Sequence, residues 1–199
     1  MDMDAEDKPT ERRMGPAGSD NWHAMLDGAE YILREQGYAC LTSRAVAERI
    51  GVKQRLVYYY FRTMDELIVE TFRRLASREL VRLRVACQSD RPMHDIWDIC
   101  THSTDARLIT EFMALANHLP PLRVHVIAYI EDARLLQIEA VTAAMNRSGT
   151  STHLTSDSLV LLATGAALLL AREGQLGVSM GHQQLESAIT DLLARFEPA

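Results

Sequence analysis

Residues 37–61, GYACLTSRAVAERIGVKQRLVYYYF, decide how this chain folds. Apolar residues at helical spacing stand on both sides of Gly51: Val46, Ala47 and Ile50 before it, Val52 and Val57 after it. The small side chain of Ala47 lets two helices cross closely, and Gly51 can adopt the positive φ that a tight turn between helices often demands. The stretch therefore predicts a helix-turn-helix.

The ends of the two helices agree with this interpretation. Thr42 or Ser43 can accept a hydrogen bond from the free amides that open the first helix. Gly37 can close the helix before it, because glycine is common just after the last helical turn.

The surface of the second helix has the chemistry of a DNA-reading element. Residues 37–62 hold five basic side chains and one acidic one, a net +4 in a chain of net charge −6. Cations, amides and hydroxyl groups at this position suit phosphates and base edges in a major groove. We predict contacts with double-stranded DNA from Thr42, Ser43, Arg44, Lys53, Gln54, Arg55, Tyr58, Tyr59 and Tyr60.

A wider pattern gives this stretch a family likeness. Its members are Tyr38, Thr42, Ala47, Gly51, Tyr58, Tyr60 and Phe61, followed by Asp65 and Leu67. The pattern resembles the DNA-binding domain of the tetracycline-repressor (TetR) family of transcriptional regulators, and it covers about a quarter of the chain. The resemblance implies a regulator, most often a repressor, that forms a homodimer and holds a small inducer in a second helical domain.

Two positions depart from the family pattern. Lys53 stands where the family commonly has a small polar residue, and it adds a long cation to the recognition helix. Met64 stands where the family usually has a lysine that touches a phosphate. Arg62 is the candidate to supply that contact instead, so it joins the predicted DNA-binding residues.

Composition and length limit the remaining possibilities. A chain of 199 residues with 47% hydrophobic and 24% charged residues is typical of a folded protein with one or two small domains. We expect a cytoplasmic protein without a membrane span, because no apolar run reaches about 18 residues and no signal peptide is evident. Cys40, Cys87 and Cys100 lack metal-binding spacing and are expected to be reduced thiols.

The N-terminal region divides into an arm and a head. Residues 1–19 have no apolar periodicity and predict a disordered arm, in which Arg12 and Arg13 could enter a minor groove, although a solvated tail is the favoured interpretation. Residues 20–66 form the predicted DNA-binding domain of three helices. The first helix carries one apolar face: Trp22, Met25, Leu26, Ala29, Ile32 and Leu33.

A long helix should connect the head to the rest of the chain. Thr63 and Glu66 form a capping box, and apolar positions continue to about Gln88. Such a rod can act as a lever between the head and a regulatory and dimerisation domain predicted at residues 67–199. Residues 85–199 hold seven basic and thirteen acidic side chains, so this part is not expected to touch DNA.

Short helical patterns after Pro92 supply a candidate ligand pocket. Its predicted lining is Trp97, Cys100, Leu108, Phe112, Met113 and Tyr129. Ordinary core packing explains any one of these residues better than a pocket does, and only the family resemblance favours a pocket. The inventory suggests a small hydrophobic or amphipathic ligand of unknown identity.

The last two helical patterns predict a two-fold dimer. Residues 159–171, LVLLATGAALLLA, are apolar on every face, so one core cannot bury them all. The segment is too short to span a membrane. The predicted four-helix interface is formed by Leu162, Gly165, Ala166, Leu169, Leu185, Ile189, Leu192 and Leu193.

Other chemistry finds little support in the sequence. The seven histidines show no metal-ligand spacing, and no GxSxG, P-loop or Rossmann motif is present, so neither a metal, a cofactor nor catalysis is expected. The alternative that stays open is a helical small-molecule-binding protein or enzyme without a DNA-binding role. A purely structural adaptor does not account for the concentrated positive charge.

Overall fold

The chain folds as a set of α-helices, seen in a computed structural model that describes residues 15–102 and 105–198, apart from the side chain of Ala106. No strand occurs within these ranges, and the predicted all-α fold is confirmed. The helices are α1 (Asp20–Gln36), α2 (Ser43–Arg49), α3 (Gln54–Tyr60), α4 (Met64–Cys87), α5 (Pro92–His102), α6 (Ala106–Leu115), α7 (Pro120–Ser148), α8 (Ser156–Gln175) and α9 (His182–Ala194).

The helices of the head, α1 to α3, begin and end at the capping and turn residues that the sequence predicted. The hydroxyl oxygen of Thr42 accepts the Ala45 N–H at 3.1 Å and caps α2. Gly51 has a φ of 71° between α2 and α3, and Gly37 has a φ of 81° after α1. The side chains of Val46, Ala47 and Val57 are buried between the three helices. The predicted helix-turn-helix is therefore present.

Helix α4 begins where the capping signal places it. Thr63 accepts the Glu66 N–H at 3.1 Å, and the Glu66 carboxylate accepts the Arg62 N–H at 2.7 Å. The predicted boundary between residues 66 and 67 lies in the first turn of this helix. Leu67, Phe72 and Leu75 are buried in a core that the head shares with α6 and α7. The head is therefore packed directly against the second domain.

A second core lies among α5, α7, α8 and α9, and includes Trp97, Val141, Leu170 and Leu193. At its edge, the buried carboxylate of Glu197 accepts the backbone N–H groups of Met93 (3.0 Å) and His94 (3.2 Å) at the start of α5. Glu197 thus satisfies the free N–H groups at the start of α5, a helix about a hundred positions earlier in the chain.

The described part of the predicted arm lies against the head. Gly15 donates its N–H to the Tyr59 carbonyl oxygen at 2.9 Å. A Cβ at position 15 would lie 2.5 Å from the Tyr60 ring, so any larger residue there would displace the ring. Ser19 then caps α1 by accepting the Trp22 N–H at 3.4 Å. The prediction of a disordered arm, with Arg12 and Arg13, falls mainly on residues 1–14, outside the described residues.

Candidate nucleic-acid interface

The start of α3 presents a row of polar side chains to solvent. Lys53, Gln54 and Arg55 are exposed, because the apolar positions of this short helix face α1 and α2. Tyr58 and Tyr59 follow one turn later with 40% and 44% of their surface exposed. Thr42, Arg44 and Arg62 are also exposed at the ends of neighbouring helices. Eight of the predicted DNA contacts are therefore accessible on the head.

Ser43 has a different place from the one expected of a phosphate contact. It is 5% exposed, donates its hydroxyl hydrogen to the Tyr58 hydroxyl oxygen at 3.0 Å and accepts from Gln54 Nε2 at 2.9 Å. These two bonds join α2 to the beginning and middle of α3. Ser43 thus orients Gln54 and Tyr58, a role that its sequence position alone did not indicate.

Tyr60 also lies inside the head and differs from its predicted place on the DNA-facing surface. Its ring is 7% exposed, lies beneath Gly15 and meets the Tyr59 ring edge to face with centroids 5.3 Å apart. The α-helical period turns position 60 toward the core beside Val57. Tyr60 supports the recognition helix rather than extending from it.

The basic side chains of the head differ in how they are held. Arg44 pairs with Glu48 at 2.8 Å, but the two side chains are 79% and 66% exposed. An exposed pair of this kind contributes little to stability, so Arg44 can leave Glu48 and contact a phosphate at small cost. Arg49 lies 3.4 Å from the centre of the Tyr31 ring and is drawn toward α1. Met64 is half-buried against the core, and its thioether carries no charge to offer a phosphate.

A cavity of about 200 Å³ lies among α4, α5, α6, α7 and α8. Three predicted pocket residues, Cys100, Met113 and Tyr129, line it. The rest of the wall is formed by Glu79, Leu83, Ile99, Ile109, Ile130, Ala133, Arg134, Gln137, Thr164, Ala167, Leu168 and Ala171. The cavity is therefore apolar with a few polar groups, as small-molecule sites commonly are.

The other three predicted pocket residues lie elsewhere. Leu108 and Phe112 have no exposed surface, and both belong to the core shared with the head, where Phe112 packs on Phe72. Trp97 lines a separate small cavity of about 20 Å³ that Cys100 also borders. The sequence shows that these residues are apolar, but it could not indicate which helix packs against each of them.

Two titratable groups in the cavity wall, Cys100 and Tyr129, are uncharged at neutral pH, whereas Glu79 and Arg134 add a carboxyl and a guanidinium group to the same wall. Burial, with a smaller effect from Cys87, raises the pKa of the Cys100 thiol to about 11. Burial also raises the pKa of the Tyr129 hydroxyl, and the nearby Glu79 carboxylate adds to the rise. Both groups are consequently protonated at neutral pH. The Gln137 amide lies 3.7 Å from the Cys100 sulfur and is a further hydrogen-bonding group.

Helix α8 carries the apolar face that its sequence predicted. Leu162 and Leu169 are 54% and 47% exposed, and a Cβ built on Gly165 between them would meet no described atom within 4 Å beyond its chain neighbours and its own helix backbone. Ala166 and Leu185 are half-buried, as is Leu192. Ile189 and Leu193 are instead buried in the second core of the same chain. The face available to a partner is therefore mainly that of α8.

Within residues 15–102 and 105–198, no group of three or more His, Cys, Asp or Glu side chains is arranged to hold a metal ion. None of the described helices combines the length and hydropathy needed to cross a bilayer.

Comparison with known proteins adds to this geometry. Residues 25–71 match the family model described as bacterial regulatory proteins, tetR family. No curated protein sequence matches the chain. Solved structures resemble it closely in fold at low sequence identity.

A TetR transcription regulator from Haloarcula marismortui has a TM-score of 0.69 and 17% identity over 85% of this chain and 94% of its own. A transcriptional regulator from Rhodococcus sp. Rha1 has a TM-score of 0.68 and 18% identity over 87% of this chain and 94% of its own. The SmeT–triclosan complex has a TM-score of 0.61 and 21% identity over 86% and 88% of the two chains. Residues 25–71 therefore match the tetR family of bacterial regulatory proteins, and the chain has the fold of TetR-type transcriptional regulators.

Proposed function

We propose that this chain is a homodimeric repressor that binds a palindromic operator and is released from it by a small hydrophobic or amphipathic ligand. The observation that carries the proposal is the exposed row Lys53, Gln54 and Arg55 at the start of α3, on a head of net positive charge. Side chains at the start of a recognition helix are the ones that reach base edges in a major groove. The protein would act in the cytoplasm, where operator DNA is accessible.

The base-reading and backbone-binding roles divide along the head. Arg44, Lys53, Gln54 and Arg55 are the proposed base readers. Thr42, Tyr58, Tyr59 and Arg62 are exposed and suited to phosphates, which fix the register without reading sequence. Ser43 and Tyr60 hold this surface in place from inside. A helix oriented by both bonds of Ser43 loses less side-chain entropy when DNA binds.

The proposed dimer follows from the apolar face of α8. Exposed leucines on two turns of one helix are costly in water, and a second copy of the same face can cover them with two-fold symmetry. Two heads related by a two-fold axis require two half-sites about 34–36 Å apart, which is one turn of DNA. An operator with inverted symmetry is therefore expected.

The proposed ligand site is the cavity between α4 and α8. Its largely apolar wall and the protonated Cys100 and Tyr129 favour a mainly hydrophobic molecule, and Glu79 and Arg134 in the same wall offer polar contacts to an amphipathic one. The triclosan that occupies the SmeT complex is a molecule of this chemistry in a protein of the same fold. A ligand that favours one tilt of α4 over another would change the spacing of the heads and weaken operator binding.

Selection from a random pool of DNA duplexes at moderate salt tests the proposal. We expect enrichment of an inverted repeat, and we expect fluorescence anisotropy to give nanomolar affinity for the recovered duplex, as is usual for specific DNA binding. Triclosan can serve as a first probe of the cavity and should lower that affinity. If no sequence is enriched while apolar probes still bind, the chain is a helical small-molecule-binding protein without a DNA role.

A further inference from the structure

A cluster of charged side chains joins the head to the second domain. Asp105 stands immediately before α6 and is 4% exposed. Its carboxylate accepts hydrogen bonds from Arg34 Nη2 of α1 at 2.5 Å and from Arg78 Nη2 of α4 at 3.0 Å. Arg82, one turn further along α4, lies 3.7 Å from the same carboxylate. One buried acid therefore contacts three arginines on two helices.

Glu30 of α1 completes this cluster. It is 6% exposed and lies 3.3 Å from Arg78 Nη2, so Arg78 contacts both Glu30 and Asp105. Arg74 donates to the other Glu30 oxygen at 2.7 Å. The cluster, formed by Glu30, Arg34, Arg78 and Asp105, links α1 and α4 to the beginning of α6.

The same cluster adjoins the cavity by two routes. Ile109 and Met113 of α6, one and two turns after Asp105, form part of the cavity wall. Glu79 also lines the cavity, and its carboxylate accepts from Arg82 at 2.8 Å. Arg82 in turn approaches Asp105. A bound molecule that displaces α6 would therefore move Asp105 itself, and one that displaces Glu79 would act on Asp105 through Arg82.

The energetics favour a positional role over a stabilising one. Taking ionised groups out of water costs about as much as their attraction returns, so buried ion clusters are weak contributors to stability. Arg34 Nε is also buried with no hydrogen-bond partner among the described residues, which adds a further cost. Hydrogen-bonded charge pairs are directional, by contrast, and restrict the orientation of one helix relative to another.

Asp105 is ionised under ordinary conditions. Burial by itself would raise the pKa of its carboxyl group, but the charges and hydrogen bonds of Arg78 and Arg34 outweigh burial and lower the pKa from its ordinary value. The cluster therefore retains its charge pairing at neutral pH.

We propose that Asp105 is a positioning residue for operator binding, which ties the orientation of the head to the position of α6 through Arg34 and Arg78. This inference rests on the proposed function, since it assigns the path by which the cavity affects the same DNA-binding surface. Coupling of this kind is reciprocal, so DNA bound at the head must also affect α6.

Reciprocity gives a test that does not need the natural ligand. Hydrogen–deuterium exchange of the α6 amides, residues 106–115, is measured with and without the duplex recovered by selection. Operator binding should slow exchange in the wild-type protein. Asp105→Asn should lose this response and bind the duplex about tenfold more weakly, a typical size for coupling between sites.

Glu197→Gln is the matched control. Glu197 is also a buried acid, 7% exposed, but it accepts from Met93 and His94 at the far side of the second domain. Both variants are expected to unfold at lower temperature than the wild type. Only Asp105→Asn should change the operator affinity and the response of α6.

Arg34 provides the second pair of variants in case Asp105→Asn does not fold. Its side chain is 33% exposed, so substitution leaves a less demanding hole. Arg34→Gln should lose the α6 response, and Arg34→Lys should retain it in part. A normal α6 response in Asp105→Asn or Arg34→Gln overturns the positioning role. Failure of the wild-type protein to bind any duplex would instead count against the proposed repressor function.

Discussion

The head and the face of α8 show opposite treatments of apolar side chains. In the head, Val46, Ala47 and Val57 are almost fully buried by helices close in sequence. On α8, Leu162 and Leu169 have about half of their surface exposed. The apolar side chains of the head are thus buried within one chain, whereas those on the outer face of α8 are left exposed by the same chain. The difference separates the proposed DNA-reading surface from the proposed dimer face.

The largest expected effect comes from removing the apolar face of α8. Leu162→Glu combined with Leu169→Glu should give a monomer, because four carboxylates would face one another across the two-fold axis. A single head loses the gain from binding two linked half-sites, so operator affinity should fall about a thousandfold. Light scattering after size-exclusion chromatography and anisotropy measure the two effects. Leu135→Glu changes a leucine that is 68% exposed on α7 and should leave both unchanged; a double variant that stays dimeric would contradict the assignment of α8.

The next largest effect concerns the cavity, where burial controls thiol chemistry. With a pKa of about 11, Cys100 is about one-thousandth thiolate at pH 8, against about a tenth for a thiol with the ordinary pKa of 9.0. Alkylation should therefore be at least a hundredfold slower than in the unfolded chain and should rise about tenfold per pH unit up to pH 10. Mass spectrometry separates Cys100 from Cys40, which is exposed and serves as the internal reference. Equal rates at the two cysteines would mean that the cavity opens readily to solvent.

A smaller effect is expected from the DNA-reading surface of the head. Lys53→Ala combined with Arg55→Ala should weaken operator binding by about tenfold to a hundredfold, because a good base contact contributes about 1–3 kcal/mol. The dependence of affinity on salt should also become less steep if either cation neutralises a phosphate. Arg73→Ala is a suitable control, since Arg73 is an exposed arginine of α4 paired with Glu70. If the two variants bind alike, the row at the start of α3 does not face DNA.

The smallest effect tests the junction of the two regions at the start of α4. Thr63→Ala removes the oxygen that accepts the Glu66 N–H, and loss of such a cap costs about 1 kcal/mol of unfolding free energy. Urea denaturation should show this loss, whereas Thr63→Ser should restore most of it. An unchanged midpoint for Thr63→Ala would indicate that water replaces the cap without cost.

Local signals in the sequence predicted the elements well. The Thr63 cap, the positive φ of Gly51 and the apolar face of α1 depend on residues only a few positions apart, and the structure confirms each of them. Helix α4 ends at Cys87, one residue from the predicted end. Such signals are readable because capping, turn geometry and helical period act over short distances.

What covers each apolar or polar side chain could not be read in the same way. Tyr60, Ile189 and Leu193 lie at periodic positions, yet burial depends on which helix packs against them. The bond of Ser43 to Tyr58 spans 15 positions, and that of Arg34 to Asp105 spans 71. No local pattern marks either pair. The exposed polar surface of the head was therefore predicted more completely than the cavity or the charged cluster.

The contact of Gly15 with Tyr60 has a practical use. Gly15 is held beside α3 by its hydrogen bond to the Tyr59 carbonyl and by its close packing on the Tyr60 ring. A fluorophore attached on the N-terminal side of Gly15 would therefore be tethered next to α3. Its emission would change when a duplex covers the head, without substitution of any residue proposed to touch DNA. The close packing of Gly15 on the head would thus allow operator binding to be followed by fluorescence.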